Sequence, residues 1–179
     1  MNPIAGSFDL GPQTCDLLLR TTSEGRMAKA GHNLTLVVRD WTATVVVGDS
    51  PETTSLRVVA QLGSLSVREG HGGLKPLSDG DRAQIEKNAA SSLGVSANPE
   101  LTFTSTAIAG AWDKAKMEGT LTLGARNEVQ QFDIEATEAG FRVSGTITQT
   151  RYGIKPYSLM MGALKVGDEV AVEVTATLQ

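Results

Sequence analysis

Alternation of apolar and polar residues with a period of two constrains this chain more than any other feature. The segment 141–148 reads Phe-Arg-Val-Ser-Gly-Thr-Ile-Thr, so every second residue is polar. Successive side chains of a β-strand point to opposite faces, which gives such a segment one face suited to a core and one suited to water. The pattern predicts a half-buried strand.

The same alternation recurs along the chain, with Gly, Asn, Asp or Pro between the runs. The runs are 34–38, 41–47, 56–62, 101–105, 116–123, 132–137 and 170–178, and Cys15 alternates with leucines in an earlier one. The phase slips between Val38 and Trp41 and again near Gly63, where bends are expected. The sequence predicts a meandering antiparallel sheet.

One segment departs from this pattern and favours a helix. Ser78 and Asp81 are capping residues, and Ile85 and Ala89 then recur at helical spacing before Gly94. We expect a single helix from Asp79 to about Leu93. A further helical turn is possible in residues 155–162.

About eight strands are enough for a sheet to close into a barrel, which also removes exposed strand edges. Aromatic residues make up only 4% of the chain, and Gly119 and Gly145 lie on apolar faces. Small inward residues would leave room for a ligand. A solid sandwich of interdigitating large and small residues explains the same composition, and both interpretations stay open.

Composition excludes several classes of protein. The 179 residues suit one domain, 1–179, and the net charge of −4 without a basic cluster argues against nucleic-acid binding. Cys15 is the single cysteine, so no intrachain disulfide can form. The N-terminal residues lack the pattern of a signal peptide and no apolar run is long enough to span a membrane, so we expect a cytoplasmic protein.

Histidine content argues against a metal site and a known catalytic motif. His32 and His71 are the only histidines, and HExxH, GxSxG and CxxC are absent. We therefore predict no catalytic residue, no metal and no cofactor. For His32, which lies at the start of a strand, we consider a structural hydrogen bond to loop backbone or a polar contact with a ligand at the barrel mouth.

The connection before the last strand is unusually apolar. It carries Tyr152, Ile154, Tyr157, Met160 and Met161, whereas ordinary loops are polar. These side chains form either a lip over an entrance to the barrel or a plug that closes its end.

Three blocks in the second half of the chain resemble the YceI-like family. They are Asn98-Pro-Glu-Leu-Thr-Phe-Thr-Ser105, Met117-Glu-Gly-Thr-Leu-Thr-Leu-Gly124 running into 129–134, and Gly145-Thr-Ile-Thr-Gln-Thr-Arg-Tyr-Gly-Ile154 followed by Val166-Gly-Asp-Glu-Val170. The blocks are in the order found in that family.

The resemblance implies an all-β, antiparallel up-and-down lipocalin-like barrel that binds polyisoprenoids and related lipids, with a homodimer possible. It implies a cavity lined by inward side chains, although core packing explains each of them equally. Besides the five residues of the apolar connection, the candidates are Leu34, Leu36, Phe103, Leu121, Phe132, Phe141 and Ile147. Arg20, His32 and Lys155 are candidates for a polar head group at the mouth.

The leading hypothesis is a non-catalytic carrier that sequesters a polyisoprenoid, an isoprenoid quinone or a fatty-acyl lipid inside the barrel. Two alternatives remain. One is an enzyme acting on a small molecule, with His32 as acid or base. The other is a stress-related module with a solid barrel that binds a partner on its outer face.

Overall fold

Alternating segments become strands throughout the chain. Residues 3–177, which the computed structural model describes, form fourteen strands and one α-helix, α1, Asp79–Ser92. The strands are β1 Gly6–Leu10, β2 Cys15–Thr21, β3 Ser23–Glu24, β4 His32–Val38, β5 Trp41–Val47, β6 Ser55–Gln61, β7 Leu65–Gly72, β8 Glu100–Ala111, β9 Lys114–Leu123, β10 Arg126–Ala136, β11 Gly140–Thr148, β12 Ser158–Leu159, β13 Leu164–Val166 and β14 Glu169–Thr177. Leu178, placed in the last strand by its alternation, lies outside the described residues.

The strand pairings confirm the antiparallel barrel class. The main sheet has the order β1-β5-β6-β8-β9-β10-β11-β14-β2-β4-β7, and all pairs are antiparallel. β4 and β5 together form one bent strand, and β6 and β7 form another. Apart from the short β1, the sheet then has eight long strands that pair in sequence order, and the last of them, β14, pairs with the first, β2. This is the arrangement of an up-and-down barrel.

The main sheet has eleven strands rather than the predicted eight, because bends divide two of the long strands and the short β1 adds one more beside β5. Residues 39 and 40 separate β4 from β5, and a turn at Leu62–Ser64 separates β6 from β7. Hydrogen bonds continue across the bend, since Arg39 N donates to Ser64 O (3.2 Å) and Gln61 N donates to Asp40 O (2.9 Å). The two breaks in alternation, between Val38 and Trp41 and near Gly63, coincide with these two bends.

A small second sheet covers one side of the barrel end. Its order is β12-β13-β3, and we call residues 158–166, which include β12 and β13, the lip hairpin. Val166 N donates to Tyr157 O at the base of this hairpin (2.8 Å). The tip is a tight turn at Met160–Gly162, within the segment in which the sequence allowed a helical turn.

Helix α1 lies where the sequence predicts it, against strand β7. Ser78 Oγ accepts a hydrogen bond from Asp81 N (3.1 Å), and Ser78 N donates to Asp81 Oδ2 (3.0 Å), which completes a capping box. Glu86 Oε1 accepts from Val67 N (2.8 Å), and Arg82 Nη1 donates to Val67 O (3.1 Å). The helix thus satisfies backbone groups along an edge strand and covers it.

Candidate ligand cavity

An apolar cavity of about 210 Å³ lies inside the barrel, beneath α1 and the base of the lip hairpin. Strand residues at one end of the barrel supply most of its wall, and the helix supplies the rest. The lining residues are Leu19, Thr21, Leu34, Leu36, Leu62, Ile85, Asn88, Ala89, Ser92, Leu93, Leu101, Leu123, Ile147, Gln149, Ile154, Tyr157, Val166 and Val170.

One row of side chains crosses four neighbouring strands of this wall. Leu34 pairs with Thr21, and Val170 pairs with Ile147. The pairing of Arg20 with Ala171 places Thr21 beside Val170. Residues opposite one another in an antiparallel pair share a face of the sheet, so all four side chains point into the same space.

The helix contributes the other wall through Ile85, Asn88, Ala89 and Ser92, which have the spacing of one helix face. None of the residues of α1 is fully buried, although this face points toward the barrel interior. The inner face of the helix therefore borders unfilled space rather than a close-packed core.

Polar groups in the cavity are few and uncharged. None of the lining residues, all within 3–177, is Asp, Glu, Lys, Arg or His. Thr21 is only 9% exposed, and its Oγ1 has no hydrogen-bond partner among the described residues. A buried hydroxyl without a partner costs free energy, and a neutral polar group of a ligand could satisfy it.

Five of the side chains proposed from the sequence meet in this cavity. They are Leu34, Leu36, Ile147, Ile154 and Tyr157. The two from the apolar connection reach the cavity because Tyr157 is at the base of the lip hairpin and Ile154 follows the turn at Gln149–Tyr152.

Three other candidates, Phe103, Leu121 and Phe132, are packed inside the barrel. They form the next layer of inward side chains beyond those that line the cavity. The rings of Phe103 and Phe132 meet edge to face with centroids 5.2 Å apart, and Leu121 is 1% exposed. A Cβ added at Gly119 would lie 2.4 Å from the Phe103 ring, and one at Gly145 would lie 2.6 Å from that of Phe132. The aromatic rings thus occupy the room that these glycines leave.

Tyr152 also belongs to the packed part of the barrel. Its hydroxyl donates to Gln130 Oε1 (3.3 Å), and Gln130 Nε2 donates to Thr146 O (2.9 Å). Burial raises the pKa of the Tyr152 hydroxyl above its usual value. Tyr152 is therefore part of the packed interior, while its neighbours Ile154 and Tyr157 line the cavity.

The remaining candidates do not line the cavity. Phe141 is half-buried at the opposite end of β11, paired with Ala136 and Ala176. Met160 and Met161 are exposed at the tip of the lip hairpin.

The three candidates for head-group contacts also lie outside the lining. Arg20 points outward and pairs with Glu173 (3.2 Å), and Lys155 is exposed. His32 Nε2 is 2.8 Å from Lys75 O, and because a carbonyl only accepts, this nitrogen is the donor. The imidazole thus has the structural hydrogen bond to loop backbone that the sequence suggested.

The sequence interpretation missed the polar residues of the cavity. Thr21, Asn88, Ser92 and Gln149 gave no motif, although Asn88 and Ser92 lie on the helix face that Ile85 and Ala89 define. Gln149 is held by donation from its Nε2 to Gly167 O (2.9 Å). Extending the helical spacing by one turn would have found the two helix residues.

A wider depression of about 430 Å³ lies on the outer wall and is open to solvent. Its carboxylates already have partners, since Asp16 accepts from Arg68 (2.7 Å) and Glu173 pairs with Arg20. Burial raises the pKa of the Cys15 thiol, so this cysteine stays protonated and unreactive. The apolar cavity inside the barrel is therefore the better candidate site.

Within residues 3–177 no group of three or more His, Cys, Asp and Glu side chains is placed to hold a metal ion. The α-helix of this range is too short and too polar to cross a membrane.

A match to a family model shows which protein family the chain belongs to. The model described as YceI-like domain matches residues 20–178. The chain belongs to the YceI-like family. No curated protein matches this YceI-like chain at a significant level.

Solved structures support the same fold. The crystal structure of Burkholderia cenocepacia BcnA aligns with a TM-score of 0.66 at 17% identity, covering 89% of this chain and 96% of that one. The Campylobacter jejuni YCEI protein aligns with a TM-score of 0.61 at 15% identity, covering 82% and 86%. A mutant YCEI protein with a monobromobimane guest gives the same values. At 15–17% identity, these alignments establish a shared fold and nothing further about the YceI-like chain.

Proposed function

We propose that this chain is a non-catalytic carrier that holds the apolar chain of an amphiphile in the barrel. The observation that carries the proposal is the cavity beneath α1, lined mainly by apolar side chains and free of charged lining residues within 3–177. Membership of a family of lipid-binding barrels supports it. The candidate ligands are a polyisoprenoid, an isoprenoid quinone or a fatty-acyl lipid.

The energetics favour an apolar chain over a charged one. Each buried methylene contributes about 0.8 kcal/mol, so ten contribute about 8 kcal/mol before the costs of association and ordering. A charged group would lose its hydration in this cavity without gaining a partner. The enclosed part of the ligand is therefore uncharged, and Thr21 Oγ1 is placed to bind a hydroxyl, carbonyl or amide of it.

The volume of the cavity indicates how a long ligand is accommodated. About 210 Å³ is below the ~300–1,000 Å³ of pockets that enclose drug-sized molecules. A longer chain requires α1 or the lip hairpin to move outward. The helix is suited to this because it has no fully buried residue.

The contacts of His32 argue against the acid–base role of the enzyme alternative. Its Nε2 donates to Lys75 O, and no ion pair of the described residues joins it to a carboxylate. An acid–base histidine is normally oriented by such a partner. The cavity likewise favours a carrier over a solid barrel.

Native mass spectrometry of gently purified protein tests this function. We expect a co-purified mass that is released on denaturation, and displacement of an apolar fluorescent probe by polyprenols or fatty-acyl lipids. A ligand-free protein from which none of these lipids displaces the probe would overturn the proposal.

A further inference from the structure

The lip hairpin and the neighbouring loop form one surface beside the cavity. Met27 N donates to Ala163 O (2.8 Å), which joins loop 25–31 to the tip of the hairpin. Tyr157 and Val166, at the base of the same hairpin, line the cavity. This surface therefore borders the end of the barrel at which a ligand would enter.

Exposed apolar side chains cluster there. Met161 is fully exposed, Met160 is 60% exposed, and Leu159 and Met27 are 45% and 40% exposed. Met160 and Met161 also have φ values of 50° and 57°, which residues other than glycine seldom adopt. The tight turn that imposes these angles holds both methionine side chains in solvent.

The charge of this surface is opposite to that of the chain. Segments 25–31 and 154–166 carry four basic residues, Arg26, Lys29, Lys155 and Lys165, and no acidic residue, whereas the whole chain has a net charge of −4. Lys165 pairs with Glu24 (3.6 Å). Within residues 3–177, Arg26, Lys29 and Lys155 take part in no ion pair. Their charge is available to an external anion.

We propose that this surface docks on an anionic lipid membrane. We call it the mouth patch and define it as Met27, Leu159, Met160 and Met161 together with Arg26, Lys29 and Lys155. The methionines and the leucine enter the boundary between head groups and acyl chains, while the basic side chains contact lipid phosphates. The inference rests on the proposed carrier function, because it names the surface from which the carrier would take or release its ligand.

Charge argues for a membrane rather than a second copy of the chain. A two-fold dimer through this patch would place the patch of one copy, with its three basic side chains, against the identical patch of the other copy. Like charges in such an interface repel one another. An anionic lipid surface offers charges of the opposite sign and an apolar layer beneath them.

Flotation of the full chain with vesicles tests the proposal. We expect co-flotation with vesicles rich in phosphatidylglycerol, much weaker binding to phosphatidylcholine alone, and release as salt is raised. The double variant Met160→Asn with Met161→Asn should lose at least about tenfold in vesicle binding. Asparagine accepts the left-handed backbone better than most residues, so this variant should keep the turn.

Two matched controls separate the patch from general surface properties. Replacing Arg26, Lys29 and Lys155 by Gln should weaken binding by at least about tenfold, whereas the same change at Lys87, Lys114 and Lys116 should not, although both variants lose three positive charges. Val46→Thr with Val129→Thr removes exposed apolar surface elsewhere and should leave binding unchanged.

Three results would overturn the docking surface. They are absence of flotation with anionic vesicles, equal flotation of the patch and control variants, and a dimer in analytical ultracentrifugation that the methionine variant dissociates. Ligand binding is measured separately with a soluble probe in the absence of vesicles. If the protein binds the probe but not the vesicles, the docking proposal fails and the carrier function stands. If it does not bind the probe, the carrier function fails.

Discussion

The cavity end of the barrel and the layer next to it are built from the same strands, yet one is hollow and the other is filled. Leu101, Leu123 and Val170 border the cavity, and two residues further along each strand Phe103, Leu121 and Val172 are buried in the core. Alternation with a period of two is identical in both layers. The difference lies in what faces each layer. The rings of Phe103 and Phe132 fill the packed layer, whereas α1, which has no fully buried residue, and the base of the lip hairpin cover the cavity end.

Removal of a ring from the packed layer should have the largest effect on stability. Phe132→Ala deletes a buried side chain and its edge-to-face contact with Phe103, so we expect the free energy of unfolding to fall by about 3–5 kcal/mol in urea denaturation. Ile85→Ala at the cavity end should cost less than about 2 kcal/mol, because its side chain borders unfilled space. Equal losses would contradict the distinction between the layers.

Addition of a methyl group to the packed layer should also destabilise the barrel. A Cβ at Gly145 would lie 2.6 Å from the Phe132 ring and 2.9 Å from Gln131 O. We expect Gly145→Ala to cost about 1–3 kcal/mol, measured in the same way. A loss below about 0.5 kcal/mol would show that the ring moves freely, which a close-packed layer does not allow.

Addition of volume at the cavity end should change binding more than stability. Ala89→Leu places three more carbons in the cavity with little change in helix propensity, so the free energy of unfolding should stay within about 1 kcal/mol. The affinity for an apolar probe should fall by at least about tenfold. Ala83, exposed on the same helix, provides the control, and Ala83→Leu should leave probe binding unchanged.

The unpartnered hydroxyl of Thr21 should contribute to ligand choice rather than to folding. Thr21→Val keeps the shape of the side chain and removes a buried polar atom, so stability should be unchanged or rise by up to about 1 kcal/mol. In competition with the probe, the preference for a long-chain alcohol over the matching alkane should fall about two- to tenfold. Thr175→Val, on the outer wall, should alter neither quantity.

The smallest effect concerns the helix that covers the cavity. Hydrogen bonds from Ser78 N and Oγ, together with Lys75, hold the pKa of Asp81 at about 2, below its ordinary 3.8. This carboxylate stabilises the folded state above about pH 4, and the stabilisation is lost as the pH falls toward 2. Asp81→Asn should therefore lower the Tm slightly at pH 5 and not at pH 2. A pH-independent difference would contradict this account.

The sequence predicts much of the fold because the signals are local. Alternation identifies the long strands, and the caps with Ile85 and Ala89 identify the helix. The filled layer could not be predicted, because inward glycines such as Gly119 and Gly145 are compatible with a hollow interior and with a solid one. Which ring covers a glycine depends on the register between strands, and register links residues far apart in sequence.

The site was predicted only in part for a similar reason. The cavity residues Leu34, Leu36 and Ile147 show the same alternation as the core residues Phe103 and Leu121. The two groups differ only in their position along the barrel axis, which the alternation does not reveal. Thr21 gave no signal because a threonine at the end of a strand is common. Its missing partner becomes visible only when the surrounding strands are in place.

The attachment of α1 to β7 links ligand entry into the barrel to the covering of β7, which is an edge strand of the sheet. Glu86 and Arg82 hold backbone groups of Val67, and Ile85 and Ala89 on the same helix bound the cavity. An outward movement of the helix to admit a long chain would free the amide of Val67 as well. Hydrogen exchange at this one backbone position would then report how often the barrel opens, and prolonged opening would present a bare strand to neighbouring molecules.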